Sequence, residues 1–331
     1  MRLLVIISLA LSTLGSVSLS PCLTGLSRTS IYTFDETGHA TRTLPNNRTY
    51  LVHIPKDYSR TLPINLPHPV VLSYHGNGGT SAKQETLSQW SEENVKLNGL
   101  GVIGVYPQAS LGLSRNGGAP TWSWQGAAYA SPDAHDLEFT GTILDELKAN
   151  LCIDSRRVYA TGKSNGGGFT NLVACTEATA SRLAAVAIVS GAMYPGTLPD
   201  SECSPGRPLP VYISHGVVDQ TIPYLGRPYD SSGDTIYRTP NIDDFAAAWA
   251  DRNGLAGTDY CQKAVHGTAQ ERVWGSSGAK GQVRRIRVDG LGHSWPTTLG
   301  LDSSGAPNNT ANFNLTTAHL VSFFNAHVLP L

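Results

Sequence analysis

Residues 158–166 read Val-Tyr-Ala-Thr-Gly-Lys-Ser-Asn-Gly. An apolar run, Val158 to Thr161, enters the pattern Gly-x-Ser-x-Gly at Gly162 to Gly166, and a helical pattern near Gly167 leaves it. The bare pattern is weak, because glycine and serine are common; the strand-turn-helix setting gives it meaning. A serine on such a strained turn is exposed above the sheet, and Gly162 and Gly166 remove side chains that would collide with the neighbouring strand and helix. Backbone N–H groups at the new helix's N-terminus point toward developing negative charge, which makes the N–H of Asn165 a candidate oxyanion donor.

Outward from this turn, short apolar or β-branched runs alternate with helical patterns, the signature of a mostly parallel central sheet with helices on both faces. Strands are predicted at Tyr50 to Ile54, Val70 to Tyr74, Val102 to Tyr106, Val158 to Thr161, Ala184 to Val189, Val211 to Ser214 and Val283 to Val288. Helices are predicted at Thr86 to Leu97, Leu137 to Asn150, Gly167 to Cys175, Ile242 to Arg252 and Thr316 to Val328. Gln108 to Ala134 and Pro195 to Leu209 read as long loops, of the kind that bind substrate.

A serine nucleophile needs a histidine base and a carboxylate that fixes its tautomer. Asp219 follows the strand Val211 to Ser214, and His293 follows the strand ending at Val288 in Gly-Leu-Gly-His-Ser-Trp-Pro. The order Ser164, Asp219, His293 is that of α/β-hydrolases. Asp289 is a competing acid only four residues before the histidine, with poor reach to the far side of the ring. His215 reads as a structural residue bonding the turn beneath Asp219. A second oxyanion donor is expected in the glycine-rich turn after Val70 to Tyr74, at Asn77, with Gly76 and Gly78 as alternatives. Trp124, Trp295 and Tyr224 sit on loops near the catalytic strand ends and are candidates for binding an aromatic acyl group.

The chain has 331 residues, 24 Lys+Arg against 25 Asp+Glu, 34 glycines and 20 prolines. Near-zero net charge without a basic run argues against nucleic acid or a membrane surface as partner. Arg2 followed by the apolar Leu3 to Leu14, with small residues at Ser16 and Ser18, predicts a signal peptide over 1–18 and a single secreted domain over 19–331. Asn47, Asn308 and Asn314 begin Asn-x-Ser/Thr sequons. Cys22, Cys152, Cys175, Cys203 and Cys261 lack zinc-site spacing; two disulfides with one thiol over are expected, of undetermined connectivity. The chain reads as a monomer, with a dimer through the odd cysteine left open. No metal or other cofactor is expected, since acyl transfer to serine needs none.

The chain resembles the secreted feruloyl esterase and polyhydroxybutyrate depolymerase family, and most nearly the fungal single-domain feruloyl esterases. The resemblance rests on Tyr50-Leu-Val-His-Ile-Pro, His75-Gly-Asn-Gly-Gly-Thr, Ser123-Trp-Gln-Gly, Tyr159-Ala-Thr-Gly-Lys-Ser-Asn-Gly-Gly-Gly-Phe, His215-Gly-Val-Val-Asp with Pro223-Tyr224, and Gly292-His-Ser-Trp-Pro. It implies an α/β-hydrolase fold, the triad Ser164, Asp219 and His293, and hydroxycinnamate esters of plant cell-wall arabinoxylan as substrate. The same family includes acetyl xylan esterases and polyester depolymerases.

Overall fold

Strands buried on both faces should be continuously apolar, and the centre of this molecule is built that way. The structure is a computed structural model that describes residues 22, 31–58, 66–114, 118–198, 203–228, 233, 235–257 and 260–330. The expected signal peptide, 1–18, lies outside the described residues.

Ten strands form one sheet: β1 (His39–Thr43), β2 (Thr49–His53), β3 (His68–Tyr74), β4 (Ile103–Pro107), β5 (Ile153–Lys163), β6 (Ala185–Val189), β7 (Val211–Gly216), β8 (Tyr260–Val265), β9 (Ala269–Trp274) and β10 (Val283–Val288). Their order is β1-β2-β4-β3-β5-β6-β7-β10-β9-β8. The six strands from β4 to β10 in that order run parallel, and antiparallel pairs extend both edges. All seven predicted strands are present within a few residues, and the fold is that of an α/β-hydrolase.

Alternate residues serve two cores. On one face Val70, Leu72, Val186 and Ile188 pack with Phe139, Ile143 and Leu147 of α2 (Asp136–Asn150), Phe169 and Val173 of α3 (Asn165–Cys175), and Phe245 and Trp249 of α5 (Ile242–Arg252). On the other, Val71, Ala187 and Val189 pack with Trp90, Phe323 and Phe324.

The helix expected over Thr86 to Leu97 lies earlier, as α1 (Ser81–Ser88). The Thr80 hydroxyl caps its start by accepting from the Lys83 N–H at 3.3 Å, and Gln89 ends it with φ 58°. Trp90, Val95 and Leu97 are buried from irregular chain and a two-residue strand, so their spacing records contact with the sheet rather than a helical stripe. The short α4 (Glu177–Ala180) follows α3. The C-terminal helix begins with a π-wound stretch, Thr316–Leu320, and continues as α6 (Val321–Ala326).

Two disulfides close, Cys22–Cys152 and Cys175–Cys203. The side chain of Cys261 lies outside the described residues. Asn47 and Asn308 are exposed, whereas Asn314 is half-buried and its amide oxygen accepts from the Thr298 N–H at 2.9 Å.

The expected Gln108 to Ala134 loop contains a hairpin, Ser110–Ser114 with Pro120–Ser123, and is latched at several points. Asp136, fully buried, accepts from Arg48 at 2.6 Å and from the Gln125 N–H at 2.7 Å. The Trp122 carbonyl accepts from the Gly78 N–H at 2.8 Å, and Thr121 Oγ1 donates to Asn77 Oδ1 at 2.8 Å.

Beneath the serine turn the backbones approach too closely for side chains. A Cβ on Gly166 would lie 2.3 Å from the Tyr74 carbonyl oxygen and 2.5 Å from that of His75. Because the obstacles are backbone of a central strand, Gly166→Ala should destabilise the protein by about 3 kcal/mol or more. Urea unfolding midpoints compared with wild type check this; an unchanged midpoint would mean that the strand end yields easily.

Candidate active site

Ser164 occupies the junction of β5 and α3 at φ 58°, ψ −122°, a conformation that side-chain-bearing residues rarely adopt. The turn is held from both sides: the Ser164 N–H donates to the Val189 carbonyl at 3.0 Å, and its carbonyl accepts from the Ala192 N–H at 2.8 Å. A Cβ on Gly162 would sit 2.2 Å from the Gly166 carbonyl oxygen, so the tight turn demands glycine.

Three residues far apart in the chain meet here. Ser164 Oγ lies 2.8 Å from His293 Nε2, and His293 Nδ1 lies 2.7 Å from Asp219 Oδ2. The carboxylate fixes the ring proton on Nδ1, which leaves Nε2 to accept from the serine hydroxyl. Asp219 Oδ1 accepts from the N–H groups of Thr221 at 2.9 Å and Ile222 at 2.8 Å. Burial raises the Asp219 pKa, but the hydrogen bonds from His215 and His293 outweigh it and hold the carboxyl well below the usual carboxylate range. Burial, then the nearby Lys163 ammonium, depress the His293 pKa below its ordinary value.

His215 Nε2 lies 2.8 Å from the Ile222 carbonyl and 3.2 Å from Asp219 Oδ2, bracing the turn that carries the acid. Asp289 is half-exposed and paired with Arg287 at 3.0 Å, apart from the three.

In the glycine-rich turn after β3, the Gly78 N–H is already bonded to Trp122, while Gly76 passes so near the serine that an added Cβ would lie 3.3 Å from Ser164 Cβ. His75 holds this turn from within. Its Nε2 accepts from the Ala109 N–H at 3.1 Å and lies 3.0 Å from Gln108 Nε2, while its Nδ1 lies 2.7 Å from the Gly76 carbonyl. Burial pushes its pKa down to about 4 from an ordinary 6.5. The unfolded chain therefore binds this proton first as the pH falls, and the stabilisation present above pH 6.5 is lost on the way down to about 4. In His75→Gln the corresponding part of the pH dependence of urea stability should disappear; an identical slope in both proteins would contradict it.

A cavity of about 680 Å³ opens over Ser164 and His293. Tyr129, Tyr194 and Ile222 line one part of it, and Lys163, Leu301 and Ser304 another. A second cavity, about 710 Å³ between Arg227, Arg238 and Phe245, contains none of the three residues that meet at the serine.

The three aromatic candidates for the acyl pocket fall elsewhere. Trp124 is fully buried, stacked on Phe169 at 5.1 Å with its Nε1 donating to the His75 carbonyl at 2.8 Å, and its backbone N–H donates to Asn165 Oδ1 at 2.7 Å. Trp295 is fully buried in the second core beneath the histidine loop. Tyr224 is buried and its hydroxyl donates to Asp243 at 3.0 Å. They brace the catalytic loops, because large rings following such loops gain more from burial than from a wet pocket. The aromatic wall belongs instead to Tyr129 and Tyr194, whose rings meet edge-on at 5.9 Å. Tyr194 follows β6 in Gly-Ala-Met-Tyr-Pro, a strand-end position that could have drawn attention to it.

No protein-family model matches the chain. The chain is 28% identical over 272 residues to feruloyl esterase C of Emericella nidulans, covering 81% of this chain and 84% of that protein. It is 29% identical over 174 residues to feruloyl esterase D of Neurospora crassa, covering 52% of this chain and 53% of that one. Among solved structures, an acetyl xylan esterase from Aspergillus awamori aligns with a TM-score of 0.49 at 18% identity, over 77% of this chain and 93% of its own. Over most of its length, then, the chain is similar in sequence to fungal feruloyl esterases, the proteins its motifs resemble.

Proposed function

We propose that the protein is a serine carboxylic ester hydrolase that releases hydroxycinnamate groups from esters of plant cell-wall arabinoxylan. One observation carries the reading: His293 bridges Ser164 and Asp219 at 2.8 and 2.7 Å on the floor of a cavity with a tyrosine wall. Its similarity to proteins named feruloyl esterases supports the acyl group.

In this reading Ser164 Oγ attacks the ester carbonyl carbon as His293 Nε2 takes its proton, and Asp219 stabilises the imidazolium. The N–H of Asn165 and the N–H of Asn77, or of Gly76, receive the tetrahedral oxyanion. The C–O bond to the sugar breaks, His293 returns the proton to the leaving alcohol, and water repeats the sequence on the acyl-serine. A planar cinnamoyl group would lie against Tyr129, Tyr194 and Ile222, where ring faces and apolar surface favour it. The protein acts in this reading as one domain, 19–331, outside the cell, in keeping with two disulfides.

Acetyl esters are the second reading, favoured by 26% identity over 227 residues to a bifunctional acetylxylan esterase/xylanase of Neocallimastix patriciarum, of which the chain spans 29%. Turnover of methyl ferulate, methyl caffeate, p-nitrophenyl acetate and a soluble polyester separates these. A kcat/KM for methyl ferulate well above that for acetate is expected; cleavage of acetate or polyester alone would leave the serine chemistry and remove the hydroxycinnamate assignment. Failure of an active-site serine probe to label the protein would remove the enzyme reading altogether.

A further inference from the structure

The residue before the nucleophile is a lysine, buried with its charge. Lys163 Nζ lies 2.9 Å from Asp302 Oδ2, and the two side chains are 5% and 8% exposed. The ammonium also donates to Ser304 Oγ. A lone buried charge is very costly, so the pairing has to be maintained for this residue to stay in place.

The partners of Lys163 lead directly to the catalytic histidine. Asp302 Oδ2 accepts from the Trp295 N–H at 3.3 Å, while the Ser304 hydroxyl lies 2.6 Å from Asp302 Oδ1 and 3.2 Å from the His293 carbonyl. The turn carrying Asp302 and Ser304 presses on the same backbone, for a Cβ on Gly305 would stand 2.8 Å from Ser294 Cβ and 3.0 Å from the His293 carbonyl carbon. On its other side the Lys163 stem runs under Gly76, where an added Cβ would come within 3.6 Å of Lys163 Cδ. Directly or through these partners, one side chain therefore reaches the nucleophile turn, the glycine-rich turn beside it and the backbone that follows His293.

We infer that Lys163 is a positioning residue for the esterase chemistry: through Asp302 and Ser304 it clamps the His293 loop onto the serine turn. The ammonium held there also opposes protonation of the base. This inference rests on the reading of Ser164 and His293 as nucleophile and base. The charged and titratable groups around His293 are Asp219 and His215 on the acid side, Lys163 on the strand side and Asp302 on the turn beneath. Asp219 favours the imidazolium, as the triad requires, whereas Lys163 opposes it. The balance keeps Nε2 unprotonated and able to accept the serine proton in mildly acidic surroundings.

The test is the pH profile of kcat/KM on methyl ferulate or p-nitrophenyl acetate, whichever is turned over, for wild type, Lys163→Met, Lys163→Arg and Ser164→Ala. Methionine keeps the stem's packing and removes the charge. In Lys163→Met the acid limb should move up by about one pH unit, with the plateau kcat about tenfold lower and KM little changed. Lys163→Arg, which keeps the charge, should leave the acid limb near that of wild type. If Lys163→Met leaves too little folded protein, the double variant Lys163→Met/Asp302→Asn, without an orphaned carboxylate, should still show an upward shift, smaller because the opposing charge of Asp302 is removed with it. An acid limb in the methionine variants that coincides with wild type overturns the inference, however much activity or stability is lost. Ser164→Ala separates the two levels: turnover retained there removes the underlying reading, whereas a silent Ser164→Ala with an unmoved limb removes the clamp alone.

Discussion

Ser164→Ala should lower kcat/KM for the preferred ester about a millionfold while leaving the protein folded. The loss is large because no other group can form the acyl intermediate, so only the oxyanion donors and substrate binding remain to speed attack by water. The fold should tolerate the change. The side chain is small and lies at the pocket surface, its backbone is held by the Val189 and Ala192 bonds, and alanine meets the same φ of 58° as serine does. Thermal midpoints should therefore stay within a few degrees of wild type while burst and steady-state release both vanish. Substantial turnover in the folded variant would point to another nucleophile.

Asp219→Asn should cost about 10⁴-fold in kcat, with little change in KM. Asp219 Oδ1 receives two backbone N–H groups, from Thr221 and Ile222, and only a carbonyl oxygen can stay there. The asparagine amide must then turn its NH₂ toward His293 Nδ1, in place of the oxygen 2.7 Å away. Nδ1 has to become an acceptor and the ring proton moves to Nε2, so the histidine faces Ser164 as a donor and cannot take its proton. The effect belongs to the tautomer rather than to lost packing. A kcat loss of less than tenfold would show that Asp219 is not the group orienting the base.

The parts of this site legible in the sequence are those fixed by backbone chemistry. Gly162 and Gly166 bracket Ser164 because two backbones approach within van der Waals contact of where a Cβ would be, and such a demand is visible in a single chain. Asp219 follows β7, which is buried along its whole length, and His293 follows β10, Val-Arg-Arg-Ile-Arg-Val, whose β-branched residues mark a strand although three arginines interrupt it. The antiparallel strands at the far end of the sheet were not legible: β9, Ala-Gln-Glu-Arg-Val-Trp, is paired on both sides yet mixes buried with half-buried residues and carries Glu271 and Arg272 in place of an apolar run. The pocket wall was legible least. Whether an aromatic ring after a strand end turns inward, as Trp124 and Trp295 do, or outward to a cavity, as Tyr129 and Tyr194 do, depends on the packing of residues distant in the chain. Periodicity does not encode that choice, and it also placed a helix at Thr86 to Leu97, where buried side chains project from a turn.

The latched segment from Gln108 to Ala134 has a bearing on how proteins of this shape can diversify. Gln108 and Ala109 bond His75, Trp122 bonds Gly78, Trp124 bonds both His75 and Asn165, and Gln125 bonds Asp136. A segment so placed is not an exchangeable module. A chimera that grafts another esterase's sequence at 108–134 would have to import compatible residues at 75–78, 136, 165 and 196 together with it, since a Cβ on Gly126 would stand 2.6 Å from the Gly196 carbonyl oxygen; new acyl preferences should therefore arise first by point changes at the side chains of Tyr129 and Tyr194 rather than by exchange of the segment.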